Sequence, residues 1–174
     1  PRHAAIAATR AKIPLVVLSR PAWVAQTGDR WIEAADMAAA AAVLGGERKR
    51  VFLTIGRLQI GAFAAAPQHF YLIRTIEPLA VSLDLLHHRV IHGRGPFTVE
   101  AEEKLLREES IDLVVSKNSG GEAAFAKLVA ARHVGLPVVM VARPQQTPGP
   151  VLHDPAEVMA LLLHHCSTLT PRGV

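Results

Sequence analysis

The 174-residue sequence holds a single cysteine, Cys166. One thiol cannot form an internal disulfide, and cysteine this scarce fits a reducing compartment, so a cytoplasmic setting is expected. With no activating base in its stretch "LLLHHCS", Cys166 reads as a packed thiol rather than a nucleophile. Aromatic residues are 5% of the chain, which leaves few platforms on which nucleic-acid bases could stack. Apolar runs such as "LPVVMVA" are too short to cross a bilayer, and the first residues lack the charge-plus-apolar pattern of a secretory signal. Neither membrane nor nucleic acid is therefore expected as a partner. The chain also lacks a G-x-G-x-x-G turn, a G-x-x-x-x-G-K-[ST] loop, any internal repeat and any low-complexity segment.

What is present is apolar and basic. Half the residues are hydrophobic, enough to bury a real core, and the formal charge of +4 makes anionic partners plausible. Short runs rich in Val, Ile and Leu alternate with Ala-rich stretches of helical period. "IPLVVL" (13–18), "VFLTI" (51–55), "FYLIRTI" (70–76), "DLVVS" (112–116) and "LPVVMVA" (136–142) show little polar alternation, as strands covered on both faces do. Between them, "AAIAATRA", "EAADMAAAAAVLG", "TVEAEEKLLREE", "EAAFAKLVAARH" and "PAEVMALLLHH" read as helices. The third is expected on the surface, with Thr98 as N-cap and the i,i+4 pairs Glu100–Lys104 and Glu103–Arg107. The pattern predicts an α/β fold of parallel sheets with flanking helices. A break at "GGERKR" (45–50) divides the chain into residues 1–48 and 49–174.

In such folds ligands bind beyond the carboxyl ends of the strands. "SKNSGG" (116–121) sits at one such end, before a helix. Its Lys117, Asn118, Ser119, Gly120 and Gly121 combine a cation, small polar groups and close backbone approach, the outline of an anion cradle. The plainer reading is a turn in which Asn118 or Ser119 caps the helix. A second strand end, "LTIGRLQIGAF", supplies Thr54, Gly56 and Arg57; Arg94 stands between glycines in "VIHGRGPF", Arg143 ends the last strand, and Arg20 lies in "LSRPAW". The recurrence of a cation beside Gly or Pro favours an anion site, since a guanidinium fork clamps planar oxyanions. The pairs His87–His88 and His164–His165 are sequence neighbours whose side chains point apart, so no metal face is expected. Trp23 and Trp31 suit either a ligand cleft or packing.

"LSRPAW", "LTIGRLQIGAF" and "VIHGRGPFTVEAEEKLLREESIDLVVSKNSGGEAAFAKLVAARHVGLPVVMVARP" together resemble the precorrin-6A reductase family of cobalamin biosynthesis, with "KNSGG", "AAR" and "LPVVMVARP" in family-like order. The resemblance implies a Rossmann-like fold of two lobes around a cleft, NADPH as cofactor, an anionic tetrapyrrole as substrate, and reduction of precorrin-6A to precorrin-6B. It also implies a strand and glycine-rich dinucleotide turn ahead of Pro1, which leaves residues 1–48 as the remainder of a nucleotide-binding lobe and 49–174 as the second lobe. Hydride delivery by a nicotinamide asks for positioning more than for acid–base side chains, and no proton donor stands out. A non-catalytic anion-binding or oligomerising α/β domain is the alternative.

Overall fold

A computed structural model describes residues 2–78, 83–143 and 149–169, apart from the side chains of Arg2 and residues 166–169. The expected packing of the Cys166 thiol therefore lies outside the described side chains. The elements in chain order are α1 (Arg2–Ala11), β1 (Val17–Leu18), β2 (Trp31–Ala34), α2 (Met37–Val43), β3 (Arg50–Thr54), a 3-10 helix at Arg57–Ala65, β4 (Phe70–Thr75), β5 (His88–His92), α3 (Val99–Glu108), β6 (Leu113–Lys117), a 3-10 turn at Glu122–Ala124, α4 (Ala126–Val134), β7 (Val138–Val141), β8 (Val151–Leu152) and α5 (Pro155–Leu169). Among the described residues no helix is long and apolar enough to cross a membrane.

The chain forms two compact units, residues 1–21 with 145–174, and residues 22–144. In the smaller, β1 pairs in parallel with β8 through Val17↔Val151 and Leu18↔Leu152. A side chain at Gly149, where φ is +134°, would meet the Leu15 carbonyl oxygen at 2.7 Å, so only glycine lets the two segments approach here.

The larger unit is a sheet of six parallel strands in the order β2-β7-β6-β3-β4-β5. Its central strands explain the continuous apolar runs. Val51, Leu53, Tyr71, Ile73, Val115 and Val139 point to one face and pack with Ala40 of α2, with its cap Leu44 and with Ile60 and Phe63. Phe52, Leu72, Val114, Val138 and Met140 point to the other, against Leu106 of α3 and Leu128 and Ala131 of α4. Two covered faces leave no position for polar alternation, and each fully buried large side chain contributes about 1.5–3 kcal/mol.

The division expected at "GGERKR" falls inside this sheet. β2 runs beside β7 from Trp31↔Val138 to Ala34↔Val141, which ties residues 31–34 to the larger unit. The glycine and charges there end a helix: Leu44 caps α2 and Gly45 turns the chain at φ +76°. Three strands, β2, β5 and β8, lie outside the runs read as strands; the helical stretch "EAADMAAAAAVLG" takes in the last two residues of β2, Glu33 and Ala34. Thr98 does cap α3, accepting from the Ala101 amide at 3.2 Å, and Glu103 pairs with Arg107 at 3.2 Å; Lys104 pairs with Glu108 at 3.7 Å. The expected surface position of α3 is only half right, because Glu102 and Leu106 are buried.

Candidate functional site

From β3 the chain moves outward to β4 and β5, then returns to lay β6 on the opposite side of β3. This reversal makes the β3–β6 junction a topological switch point, where the carboxyl ends of parallel strands leave a crevice. Thr54 and Ser116 are register partners at that junction. Thr54, Gly56 and Arg57 of one strand end therefore lie beside Lys117 of the other. A Cβ at Gly56 would lie 3.9 Å from Lys117 Nζ, an ordinary contact distance that places the lysine beside this strand end.

Two adjoining cavities open along this edge. One, of about 420 Å³, is lined by Thr54, Gly56, Arg74, Glu102, Phe97 and Lys127 among others. The second, of about 410 Å³, shares Ile55, Gly56, Arg74, Thr75 and Ile76 with it and adds Arg57, Glu77 and Arg94. The structure thus brings Thr54, Gly56, Arg57 and Arg94 to this groove of adjoining cavities, with Lys117 beside Gly56 but lining neither. Arg57 and Arg94 are exposed, as rim cations facing an incoming anion would be.

The floor of the groove is a charge cluster absent from the expected site. Arg74, near the end of β4, points to the α3–α4 face and donates from Nη1 to Glu102 Oε1 at 2.7 Å. Its guanidinium lies between two rings, 4.0 Å from the Phe97 centroid and 4.8 Å from that of Phe52. Stacking and ion pairing together hold a charge that burial would otherwise penalise. Glu102 is 1% exposed, and its second oxygen, Oε2, has no hydrogen-bond partner among the described residues. Lys127, in the first turn of α4 and 8% exposed, donates from Nζ to the Ala124 carbonyl at 3.0 Å. Burial pushes the Lys127 ammonium down to about 8; Glu102 acts to raise it and Arg74 to lower it further. Glycines let the β5–α3 loop close over the cluster: a side chain at Gly93 would meet Phe97 at 3.2 Å, and one at Gly95 the Ala123 carbonyl oxygen at 3.1 Å.

Other expected residues lie elsewhere. Asn118 and Arg143 line a separate cavity of about 720 Å³, beside Trp23, Trp31, Glu33 and Met140. There Asn118 accepts from the Trp23 amide at 2.8 Å and donates to the Trp23 carbonyl at 2.9 Å, a two-point clamp on the neighbouring segment. The Trp23 indole donates to the Gly121 carbonyl at 3.0 Å and its ring packs on Phe125; Arg143 Nε donates to the Asn118 carbonyl at 2.6 Å. The amides of Asn118 and Ser119 are taken by the Val141 and Lys117 carbonyls. "SKNSGG" does not run directly into a helix: a 3-10 turn intervenes and α4 starts at Ala126, so neither Asn118 nor Ser119 is its cap. Gly120 and Gly121 have φ of +68° and +80°, turning the chain back toward Trp23. Ser119 is exposed. Arg20 is exposed in the smaller unit.

Comparison with known proteins adds a family. The family model described as Precorrin-6x reductase CbiJ/CobK matches residues 1–163. The chain is 44% identical over 172 residues to a precorrin-6A reductase of Rhodobacter capsulatus, covering 99% of this chain and 68% of that protein. It is 45% identical over 171 residues to one of Rhodococcus erythropolis, covering 98% and 67%. A solved structure titled CobK precorrin-6A reductase superposes with a TM-score of 0.88 at 44% identity, covering 98% of this chain and 69% of that one. The chain thus spans about two thirds of the length of these relatives.

Proposed function

The chain belongs to the precorrin-6x reductase family, and from that membership we propose that the protein reduces precorrin-6A to precorrin-6B, with NADPH as the reductant, in the cytoplasm. The observation that carries the reading beyond membership is the groove at the switch point, whose rim holds Arg57 and Arg94, with Lys117 beside Gly56. Precorrins are fringed with carboxylates, and cations on separate strand ends match such a fringe because each can take a different arm. Beneath the rim, the partnerless Glu102 Oε2 fits a ligand that donates an N–H, as a pyrrolic ring and a carboxamide both do.

A bound dihydronicotinamide would supply hydride to one carbon of the macrocycle double bond. The chain's own residues bind and orient. Rim cations fix the macrocycle by its carboxylates, Arg74 holds Glu102 in place, and the low-polarity walls from Phe97, Ala123 and Ala124 exclude water from the reacting bond.

The test uses the full-length polypeptide. Loss of NADPH absorbance should require a precorrin-6A-type macrocycle, and no turnover with that substrate would sink the reading. Arg57→Ala and Lys117→Ala should each weaken macrocycle binding by about 1.5–3 kcal/mol, the range of a charge-assisted hydrogen bond, without changing the melting temperature. Unchanged affinity in both variants would remove the rim from the site.

A further inference from the structure

Reducing a carbon–carbon double bond takes a proton as well as a hydride. We propose that Lys127 is the catalytic acid that delivers that proton to the macrocycle, an assignment that rests on the reductase reading above.

Four observations carry it. Lys127 lines the cavity of about 420 Å³ at the switch point, where the ring edge would enter between the strand ends. Its Nζ carries three donors, and its hydrogen bond is to the Ala124 carbonyl alone among the described contacts, so N–H bonds remain to reach a ligand. The groups facing it are Glu102 from α3, Arg74 from β4 and the uncharged Trp23 ring, whose centroid lies 5.3 Å from Nζ. Arg74 already neutralises Glu102 at 2.7 Å. The ammonium is thus the surplus charge of the cluster, and losing its proton leaves a neutral amine beside an intact ion pair. Finally, its acidity suits proton delivery, because burial brings it near 8, close to the operating pH at which an acid is most effective.

Competing donors on the cavity wall are engaged or too weakly acidic. The Thr54 hydroxyl donates to the Val115 carbonyl at 2.9 Å, and Thr75 Oγ1 is bound to His92 Nδ1 at 3.0 Å. Glu102 serves as acceptor for Arg74.

The step balances as follows. Hydride leaves the dihydronicotinamide and forms a C–H bond at one carbon of the double bond. The electron pair of that double bond takes a proton at the other carbon, the Lys127 N–H bond breaks, and its electrons remain on the amine. Solvent reprotonates Lys127 after the product leaves.

Three measurements on the full-length polypeptide decide the matter. Without cofactor or substrate, reductive ¹³C-methylation should give a Lys127 resonance, assigned by its absence in Lys127→Arg, that titrates near pH 8; titration near the ordinary lysine value would overturn the proposal. With NADPH and precorrin-6A, wild-type kcat should fall above pH 8. Lys127→Met should lose at least about 100-fold in kcat, the range of general acid catalysis, while its affinity for the macrocycle, read by absorbance, stays within threefold. Lys127→Arg keeps a charge that does not dissociate, so it should lose kcat as well. Arg rescuing kcat, or Met turning over within threefold of wild type, would sink the acid role alone. No turnover by wild type would sink the reductase reading and this proposal with it. If Lys127→Met fails to fold, the titration and the Lys127→Arg rates still decide.

Discussion

Two cavities of the larger unit lie at the same edge of the same sheet and draw on the same loop, yet they are built differently. Around Trp23, most polar groups are matched: Asn118 meets both backbone groups of Trp23, the indole meets Gly121, Arg143 meets Asn118, and Asp29 meets Arg132 Nε at 2.8 Å, while the buried Trp31 indole N–H on the same wall has no partner among the described residues. Around Arg74 it is charged groups that are left open, Glu102 Oε2 being without a partner among the described residues and Lys127 a surplus cation. Hydrogen bonds to backbone groups brace a segment, whereas buried charged groups with open bonding capacity can take a ligand. In "SKNSGG", Lys117 lies beside Gly56 of the groove while Asn118 and Gly121 brace the neighbouring segment.

The largest expected effect comes from removing the buried anion that sits between Arg74 and Lys127. Glu102→Ala would leave Arg74 and Lys127 buried without a counter-charge. Breaking a buried pair in this way costs about 3–5 kcal/mol, and urea unfolding at pH 7 should show a loss of that size. Glu102→Gln, which keeps the volume, separates lost charge from lost packing. A loss below 1 kcal/mol, roughly the value of a surface pair, would mean that the cluster is no more strained than the brace.

The second expectation has the opposite sign. Lys127 holds its proton less tightly in the fold, near 8, than in the unfolded chain, at 10.5. The unfolded state therefore binds more protons between those values, so stability rises with pH across that window and the burden of the buried charge is fully present below 8. The gap corresponds to about 3 kcal/mol. Lys127→Met should accordingly be more stable than wild type at pH 7 by about 2–3 kcal/mol, with the rise between pH 8 and 10.5 flattened. A variant no more stable than wild type would show that the ammonium is comfortable where it lies.

That cluster explains what was legible in the sequence and what was not. β3, β4, β6 and β7 were readable because both faces of each are covered and the apolar run is unbroken. β2 and β5 are edge strands carrying Glu33, His88 and Arg89, so their runs are diluted by polar residues. That Gly56, Arg57 and Arg94 share one cavity wall fits the pattern of glycine beside a cation at a strand end, which has a direct physical meaning. The floor of the groove left a subtler trace. Arg74 interrupts the apolar strand "FYLIRT", Glu102 shares the face of α3 that carries Val99 and Leu106, and Lys127 stands beside Leu128 on a buried helix. Each is a charge on an apolar face, and local rules broken in this way mark functional sites. What the sequence could not supply was that the three meet, since that follows from the return crossover that sets α3 and α4 side by side.

A third expectation tests the brace. Asn118→Ala removes two hydrogen bonds to the Trp23 backbone, each contributing about 0.5–1.5 kcal/mol, so stability should fall by about 1–3 kcal/mol. Macrocycle affinity should stay within threefold of wild type, unlike that of Arg57→Ala. An affinity loss with unchanged melting would move Asn118 across to the ligand side.

The smallest effect is expected at Ser119, between the two regions. Its side chain is exposed, and its contribution to the turn is the amide that meets the Lys117 carbonyl at 2.8 Å. Ser119→Ala keeps that amide, so stability should change by no more than about 0.5 kcal/mol, as for surface positions generally, and macrocycle binding by less than twofold. Gly121→Val is the proper contrast, because at φ +80° a branched side chain strains the turn and displaces the carbonyl that the Trp23 indole holds. Calorimetry and absorbance titration of the two variants would show whether the loop acts through its backbone alone. A tenfold loss of affinity in well-folded Ser119→Ala would make its hydroxyl a ligand contact and end the separation of groove from brace.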